Sequence, residues 1–460
     1  MKTLVLFKNN LRINDNPVLY NGSQNNSIIP VYILDEHNIK KKLGSASKYW
    51  LHNALESLSQ QLNNKMLFFK GETISLIDEI IKKYNIEQVY FEESFIKDDI
   101  ILQKKLESFL KTINIVYKSY NCTLLWEPYT VLKDDGTPYK VFTPFYRKGC
   151  LGGTEPQLPL GRPKEIKFLD YDNYTKLSSL NLVSGYKWYN KLNDEWDISE
   201  KNAYKIFTDF LNNGIFNYKK GRDYPSKNCN SKLSPFIRFG MISVNRMWYI
   251  LNDLKFDKNV EHYKSEIGWR EFSYYLLYHY PNMENKNLQT KFDNFDWENS
   301  TKKLNAWKKG KTGYPIIDAG MRELWQTGFM HNRIRMVVAS FLVKNLSIDW
   351  RLGEAWFWDC LLDADYASNI AGWQWVAGTG SDAAPYFRIF NPILQGEKFD
   401  SDGNYTLKYL PELKSVPLKL LQKPWENIEK MNYPEPIIDY KQSRETALSK
   451  YSAIKSFSDK

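Results

Sequence analysis

Eleven of the fifteen tryptophans in this 460-residue chain fall between Trp248 and Trp425. Large cores need some of these rings, but such density in one region also suits a planar ligand or stacked bases. Histidine chemistry has little to work with. The five histidines (His37, His52, His262, His279 and His331) include no H-x-x-x-H pair, which argues against a zinc site or a Ser-His-Asp hydrolase. The four cysteines (Cys122, Cys150, Cys229 and Cys360) are scattered, without a C-x-x-C, as expected of a reduced intracellular protein. No G-x-G-x-x-G or G-x-x-x-x-G-K-[ST] follows a strand-like run, so a standard dinucleotide or P-loop site is unsupported. The formal net charge of +10 permits a polyanion partner, although a lysine-rich surface is often simply solvated.

These residues need elements to position them. With 43% hydrophobic and 15% aromatic residues, general disorder is excluded and two or three domains are expected. Apolar runs at Thr3–Phe7, Ile28–Leu34, Met66–Phe69, Gln88–Phe91 and Ile113–Tyr117 alternate with amphipathic stretches. Such repeating βα units predict a doubly wound parallel sheet over residues 1–128. Glycine and proline punctuate the connector assigned to 129–197, which should lie across a domain surface. Strand alternation then stops, and 198–460 reads as all-helical. No run of about 20 apolar residues is present, so no membrane span is expected. Met1-Lys2-Thr3 leads directly into an apolar run, so a cytoplasmic protein without a cleaved leader is expected.

From Trp269 onward the motifs are specific. Glu266-Ile267-Gly268-Trp269-Arg270-Glu271-Phe272 comes first, then Trp307 with Gly310-Lys311-Thr312-Gly313-Tyr314-Pro315, then Met330-His331-Asn332-Arg333-Ile334-Arg335-Met336. Asp363-Ala364-Asp365-Tyr366-Ala367-Ser368-Asn369, Gly372-Trp373-Gln374-Trp375 and Gly380-Ser381-Asp382-Ala383-Ala384-Pro385-Tyr386-Phe387-Arg388 complete the series. In this order they resemble the photolyase/cryptochrome flavoproteins, most closely the class I cyclobutane pyrimidine dimer photolyases. The likeness extends over essentially the whole chain, including Tyr139-Lys140-Val141-Phe142-Thr143-Pro144-Phe145 in the connector. It implies a Rossmann-like antenna-type domain, a helical FAD domain that also takes the DNA lesion, and an enzyme, deoxyribodipyrimidine photo-lyase. Its work would be electron transfer from light-excited, reduced FAD to a flipped-out dimer.

Read alone, Asp363 and Asp365 are turn residues and Asn369 is a helix cap. The resemblance gives them to the flavin. Asp363 would pair with Arg335, Asp365 would bond the ring edge as a carboxylate can, and Asn369 would face N5 of a reduced, anionic flavin. Plant cryptochromes carry an acidic residue at that place. The Asn230-Ser231-Lys232-Leu233-Ser234 stretch, with Tyr218, Arg270, Asn332 and Ala364, completes the implied FAD set, although Asn230 stands where the family usually has threonine. Trp373, Trp350 and Trp297 would be core residues in an unknown chain. The family uses them for electron transfer, with Trp373 nearest the flavin and Trp297 outermost.

The implied lesion pocket holds Glu266, Trp269, Asn332, Met336, Trp375 and Gln395. Of these, Glu266, Asn332 and Met336 would act in catalysis together with Asn369. Photolyases acting on (6-4) photoproducts carry histidines where this chain has Asn332 and Met336. Arg270, Arg333 and Arg388 should contact DNA, and Lys308, Lys309, Lys311 and Lys398 are either phosphate contacts or solvated side chains. The partner is therefore DNA carrying pyrimidine dimers, with no membrane, no metal and a monomeric protein expected. Three places depart from the family: Leu6-Phe7-Lys8-Asn9-Asn10-Leu11-Arg12 for its usual N-terminal pattern, Lys97-Asp98 for the Asn-Glu of folate-binding members, and Phe329 for a frequent tryptophan. A second antenna chromophore could accordingly be of folate, deazaflavin or flavin type, or absent.

Overall fold

A computed structural model describes residues 1–171, 175–183, 187–255, 257–427 and 432–458. It forms two compact units that do not follow chain order. One comprises 1–213 and 231–281, the other 214–230 and 282–460. The stretch Ser231–Pro281, expected within the helical domain, thus clusters with the sheet.

In the first unit, strands β1 (Lys2–Phe7), β2 (Ser27–Leu34), β3 (Leu67–Lys70), β4 (Gln88–Glu92) and β5 (Val116–Tyr120) form a parallel sheet in the order β3-β2-β1-β4-β5. This is a doubly wound order. The Thr73–Tyr84 and Lys97–Thr112 helices bury Ile77, Ile80, Leu106 and Leu110 in the same core as Leu4, Val31, Val89 and Phe91. The fifth strand begins three residues later than the apolar run Ile113–Tyr117 suggests. Ile113 closes the preceding helix and Asn114 turns left-handed at φ 55°, a conformation asparagine tolerates better than most residues. The connector is largely exposed from 151 to 170, yet it supplies a short sixth strand, β6 (Lys167–Phe168), parallel to β2. Two residues are too few to carry a strand signal in sequence.

The second unit is helical, with Pro315–Thr327, Asn332–Ser340, Trp350–Cys360 and Tyr366–Ala377 at its centre. Three of these begin on side-chain caps that accept backbone N–H bonds: His331 from Arg333, Asp349 from Arg351 and Asp365 from Ser368. Capping of this kind satisfies donors a helix start otherwise leaves open. No described helix is long and apolar enough to cross a membrane.

Candidate functional site

Asp363, buried in the second unit, receives Nη2 of Arg335 at 2.8 Å, while Arg335 Nε donates to the Met330 carbonyl at 2.7 Å. Two residues on, Asp365 starts the helix that carries Asn369 and Trp373 one turn apart. Asn369 Nδ2 donates to Glu354 Oε1 at 2.7 Å and to the Glu354 carbonyl at 3.2 Å. Both partners can only accept, so the amide orientation is fixed and the carbonyl oxygen of Asn369 is the atom left for a ligand. Sequence reading missed Glu354; it lies fifteen residues away on another helix, and spacing gives no sign of it.

His331 is buried, and burial holds its pKa down to about 4. Its Nδ1 accepts from Arg333 N, so the proton of the neutral ring sits on Nε2, 2.8 Å from the Asn230 amide. That tautomer calls for the Asn230 oxygen, rather than its nitrogen, to face the ring. Tyr218 is buried beneath Arg222, 5.5 Å from its ring centre.

The three tryptophans differ in exposure. Trp373 and Trp350 are 3% and 1% exposed, whereas Trp297 is half-buried. Trp373 meets Phe357 and Trp307 edge-on at 5.0 and 6.3 Å. Gly353 makes room for it, since a Cβ there would overlap both the Trp373 ring and Leu342.

A cavity of about 490 Å³ opens beside Arg333, lined by Lys219, Lys220, Tyr224, Gln395, Lys398 and Phe399 among others. Arg333 pairs with Asp223 at 2.8 Å and lies over the Phe399 ring. Its Nε and the Gln395 Oε1 are buried with no partner among the described residues, and Lys219, Lys220, Arg333 and Lys398 make the cavity lining basic. Lys219, Lys220 and Tyr224 were not singled out by sequence, because a lysine run reads as a solvated face. Asn332 and Met336 lie one turn apart on the helix that also carries Arg333, with Asn332 exposed and Met336 half-buried. Trp375 is half-buried and its carbonyl accepts from Ala384 N at 3.1 Å. Arg388 is exposed, with its carbonyl held by the buried Lys344 ammonium at 2.9 Å.

The remaining site residues belong to the first unit. Glu266, Trp269 and Arg270 share the Lys258–His279 helix at spacings that place them on one side. Trp269 stacks flat on Phe142, centroids 3.8 Å apart and planes 10° apart, and Phe142 stacks in turn on Tyr146. Gly268 permits this, since a Cβ would lie 2.6 Å from the Tyr146 ring. Arg270 bonds Glu271 at 2.8 Å, and the Glu271 carboxylate also accepts from Leu125 N at 2.8 Å. Burial pushes the Glu271 pKa up to about 7. Ser231 receives the Tyr263 hydroxyl at 3.1 Å, Lys232 is left-handed at φ 54°, and Leu233 precedes a short helix that starts at Ser234. The second unit offers a paired carboxylate, a second carboxylate, an oriented amide oxygen and a neutral imidazole, groups able to bond the ring edge of a flavin, and the first unit offers hydroxyls at Ser231 and Ser234 able to bond a phosphate.

The DNA photolyase family matches residues 3–163, and the FAD binding domain of DNA photolyase matches 263–453. A deoxyribodipyrimidine photo-lyase of Agrobacterium fabrum is 39% identical over 98% of each chain. Cryptochrome-2 of Arabidopsis thaliana is 33% identical over 96% of this chain and 78% of its own. A crystal structure described as a bacterial class III photolyase from Agrobacterium tumefaciens superposes with a TM-score of 0.95 at 39% identity, covering 99% of this chain and 98% of that one. The chain belongs to the photolyase/cryptochrome family of FAD-binding proteins, and its photolyase relatives make it an enzyme of light-dependent DNA repair. The expected likeness to class I members is widened by this last match, since a structure described as class III aligns along nearly the whole chain.

Proposed function

We propose that this protein repairs cyclobutane pyrimidine dimers in DNA by light-driven electron transfer. FAD, when bound and reduced, supplies the electron that light sends to the dimer and takes it back once the cyclobutane ring has split. The chain's own residues position the partners and keep water out. Arg335 balances the charge of Asp363, and Asp365 is assigned to the polar edge of the flavin ring. Asn369 carries the reading: Glu354 occupies its N–H side, so it offers only an acceptor, to a flavin N5–H, and holds no carboxylic proton to give up. That suits repair by an anionic reduced flavin better than signalling. Ser231–Ser234, Asn230, Tyr218 and Ala364 complete the cofactor's seat.

Trp269 and Trp375 are assigned to stack on the flipped dimer, and Glu266 to bond its pyrimidine edge. Flipping is cheapest where the base pair is already damaged, and photolyases are among the enzymes for which it is described. Asn332 and Met336, in place of two histidines, favour the dimer over the (6-4) photoproduct. Arg333, Arg388, Gln395 and Lys398 take the phosphates beside the lesion, a contact that weakens with salt and reads no sequence. The functional division we assign is 1–128 for light gathering, 129–197 as connector, and 198–460 for flavin and lesion. Binding to ultraviolet-damaged duplex should greatly exceed binding to undamaged duplex, and Glu266→Ala should weaken dimer repair with FAD retained. Equal binding to the two duplexes would sink the reading, and a flavin-free Glu266→Ala protein would show that Glu266 is misplaced.

A further inference from the structure

Trp350 has two neighbours that the cofactor and lesion assignments do not use. The Arg351 guanidinium lies over its ring, 4.9 Å from the centroid. It is pinned there by Asp349 Oδ2 at 2.9 Å and by the Asn285 carbonyl, which accepts from Nε at 2.9 Å and Nη2 at 2.7 Å. On the ring's edge, Trp350 Nε1 donates to Asn287 Oδ1 at 2.9 Å, and Asn287 Nδ2 donates onward to Asp293 at 2.8 Å. Trp350 is 1% exposed, so these groups rather than water set its electrostatic surroundings.

We propose that Arg351 and Asn287 make Trp350 a relay and not a trap: the guanidinium raises the energy of a positive hole on the ring, and the amide holds the indole N–H without being able to take its proton. The inference rests on the tryptophan-chain assignment and goes beyond it. A cation above an aromatic face is attracted to the neutral ring and repelled by the oxidised one. The neutral ring is therefore favoured over its radical cation. An amide oxygen is a hydrogen-bond acceptor but too weak a base to deprotonate the radical. The carboxylate that could do so, Asp293, is one hydrogen bond further away.

Trp373 loses one electron to the light-excited, oxidised flavin. Trp350 refills Trp373, and Trp297 refills Trp350, with each buried indole keeping its Nε1 proton throughout. At the half-buried Trp297 the proton passes to water, and a thiol reductant returns one hydrogen atom to the neutral radical. Proton loss at Trp350 would stop the hole midway, and a lower-energy hole there would slow its exit.

The test is transient absorption of the tryptophan radicals in the flavin-loaded protein. In a Trp297→Phe background the hole can only shuttle between Trp350 and Trp373 before recombining. Adding Arg351→Gln should stabilise it on Trp350 and lengthen its lifetime by at least about threefold. Arg351 is partly exposed, so this variant is expected to fold. In the same Trp297→Phe background, Asn287→Asp should replace the cation-radical spectrum by that of the neutral radical. An unchanged lifetime in the first comparison, or a persistent cation radical in folded Asn287→Asp protein, overturns the proposal. A Trp297→Phe protein whose radical lives as long as in the parent instead shows that the tryptophan-chain assignment itself is at fault.

Discussion

Trp350 and Trp269 are the same side chain in opposite settings. Trp350 is closed in on all sides, with its N–H on Asn287 and a guanidinium over its face. Trp269 is half-buried, and the contact that defines it is one flat face on Phe142, backed by Tyr146. A ring meant to pass charge gains from burial and fixed polar neighbours, because solvent reorganisation is then small and the hole's energy is set by the protein. A ring meant to meet a base gains from one supported face and one accessible face, since stacking on a ready-made platform loses little entropy. Under the proposed function the two regions would separate photoreduction from lesion recognition, and variants should affect one without the other.

The largest effect is expected at Trp373. Trp373→Phe should abolish photoreduction of oxidised flavin, followed by absorbance under blue light, while repair by chemically reduced enzyme persists. Loss of both activities together would break the separation. Acid and base should also distinguish the regions. His331 has a depressed pKa of about 4, so the second unit should lose up to about 3 kcal/mol as pH falls from about 6.5 to about 4. Glu271 has a raised pKa of about 7, so the first unit should lose stability in the opposite sense, as pH rises from about 4.5 through about 7. Hydrogen exchange resolved by segment at pH 5 and pH 8 checks both signs.

Trp269→Ala should lower affinity for a dimer-bearing duplex by roughly tenfold to a hundredfold, the usual worth of one stacking ring. Binding titrations against undamaged duplex, with photoreduction measured in parallel, would reveal any spill-over. Gly353→Ala should cost about 1–3 kcal/mol in denaturant unfolding, because the added methyl must displace the Trp373 ring. The smallest effect is expected from Phe142→Leu. It keeps apolar bulk behind Trp269 but loses the flat contact, and should weaken lesion binding by less than about tenfold.

Four of the five main strands announce themselves as apolar runs, since strands buried in a parallel sheet need no alternation. The fifth is displaced because one asparagine in a left-handed turn delays it, and a two-residue strand at 167–168 leaves no pattern. The candidate site is marked in sequence in a different way. Asp363, Asp365 and Asn369 stand out only as parts of an ordered set of motifs; taken singly, each reads as a turn or cap. What motifs do not carry is who holds whom. Glu354 beneath Asn369, Phe142 behind Trp269 and Arg351 above Trp350 are contacts between side chains whose separation in sequence, or lack of any motif, hides them. The grouping of the Glu266–Trp269–Arg270 helix with the sheet unit is likewise a matter of tertiary contact, beyond what periodicity encodes.

The central claim is dimer repair by this flavoprotein, and product analysis tests it most directly. A defined oligonucleotide carrying one thymine dimer would be incubated with photoreduced protein in blue light and in darkness, beside one carrying a (6-4) lesion. Light-dependent restoration of the two thymines is expected from the dimer alone. No restoration despite bound, reducible FAD would contradict the central claim and would point to a light receptor acting through protein partners.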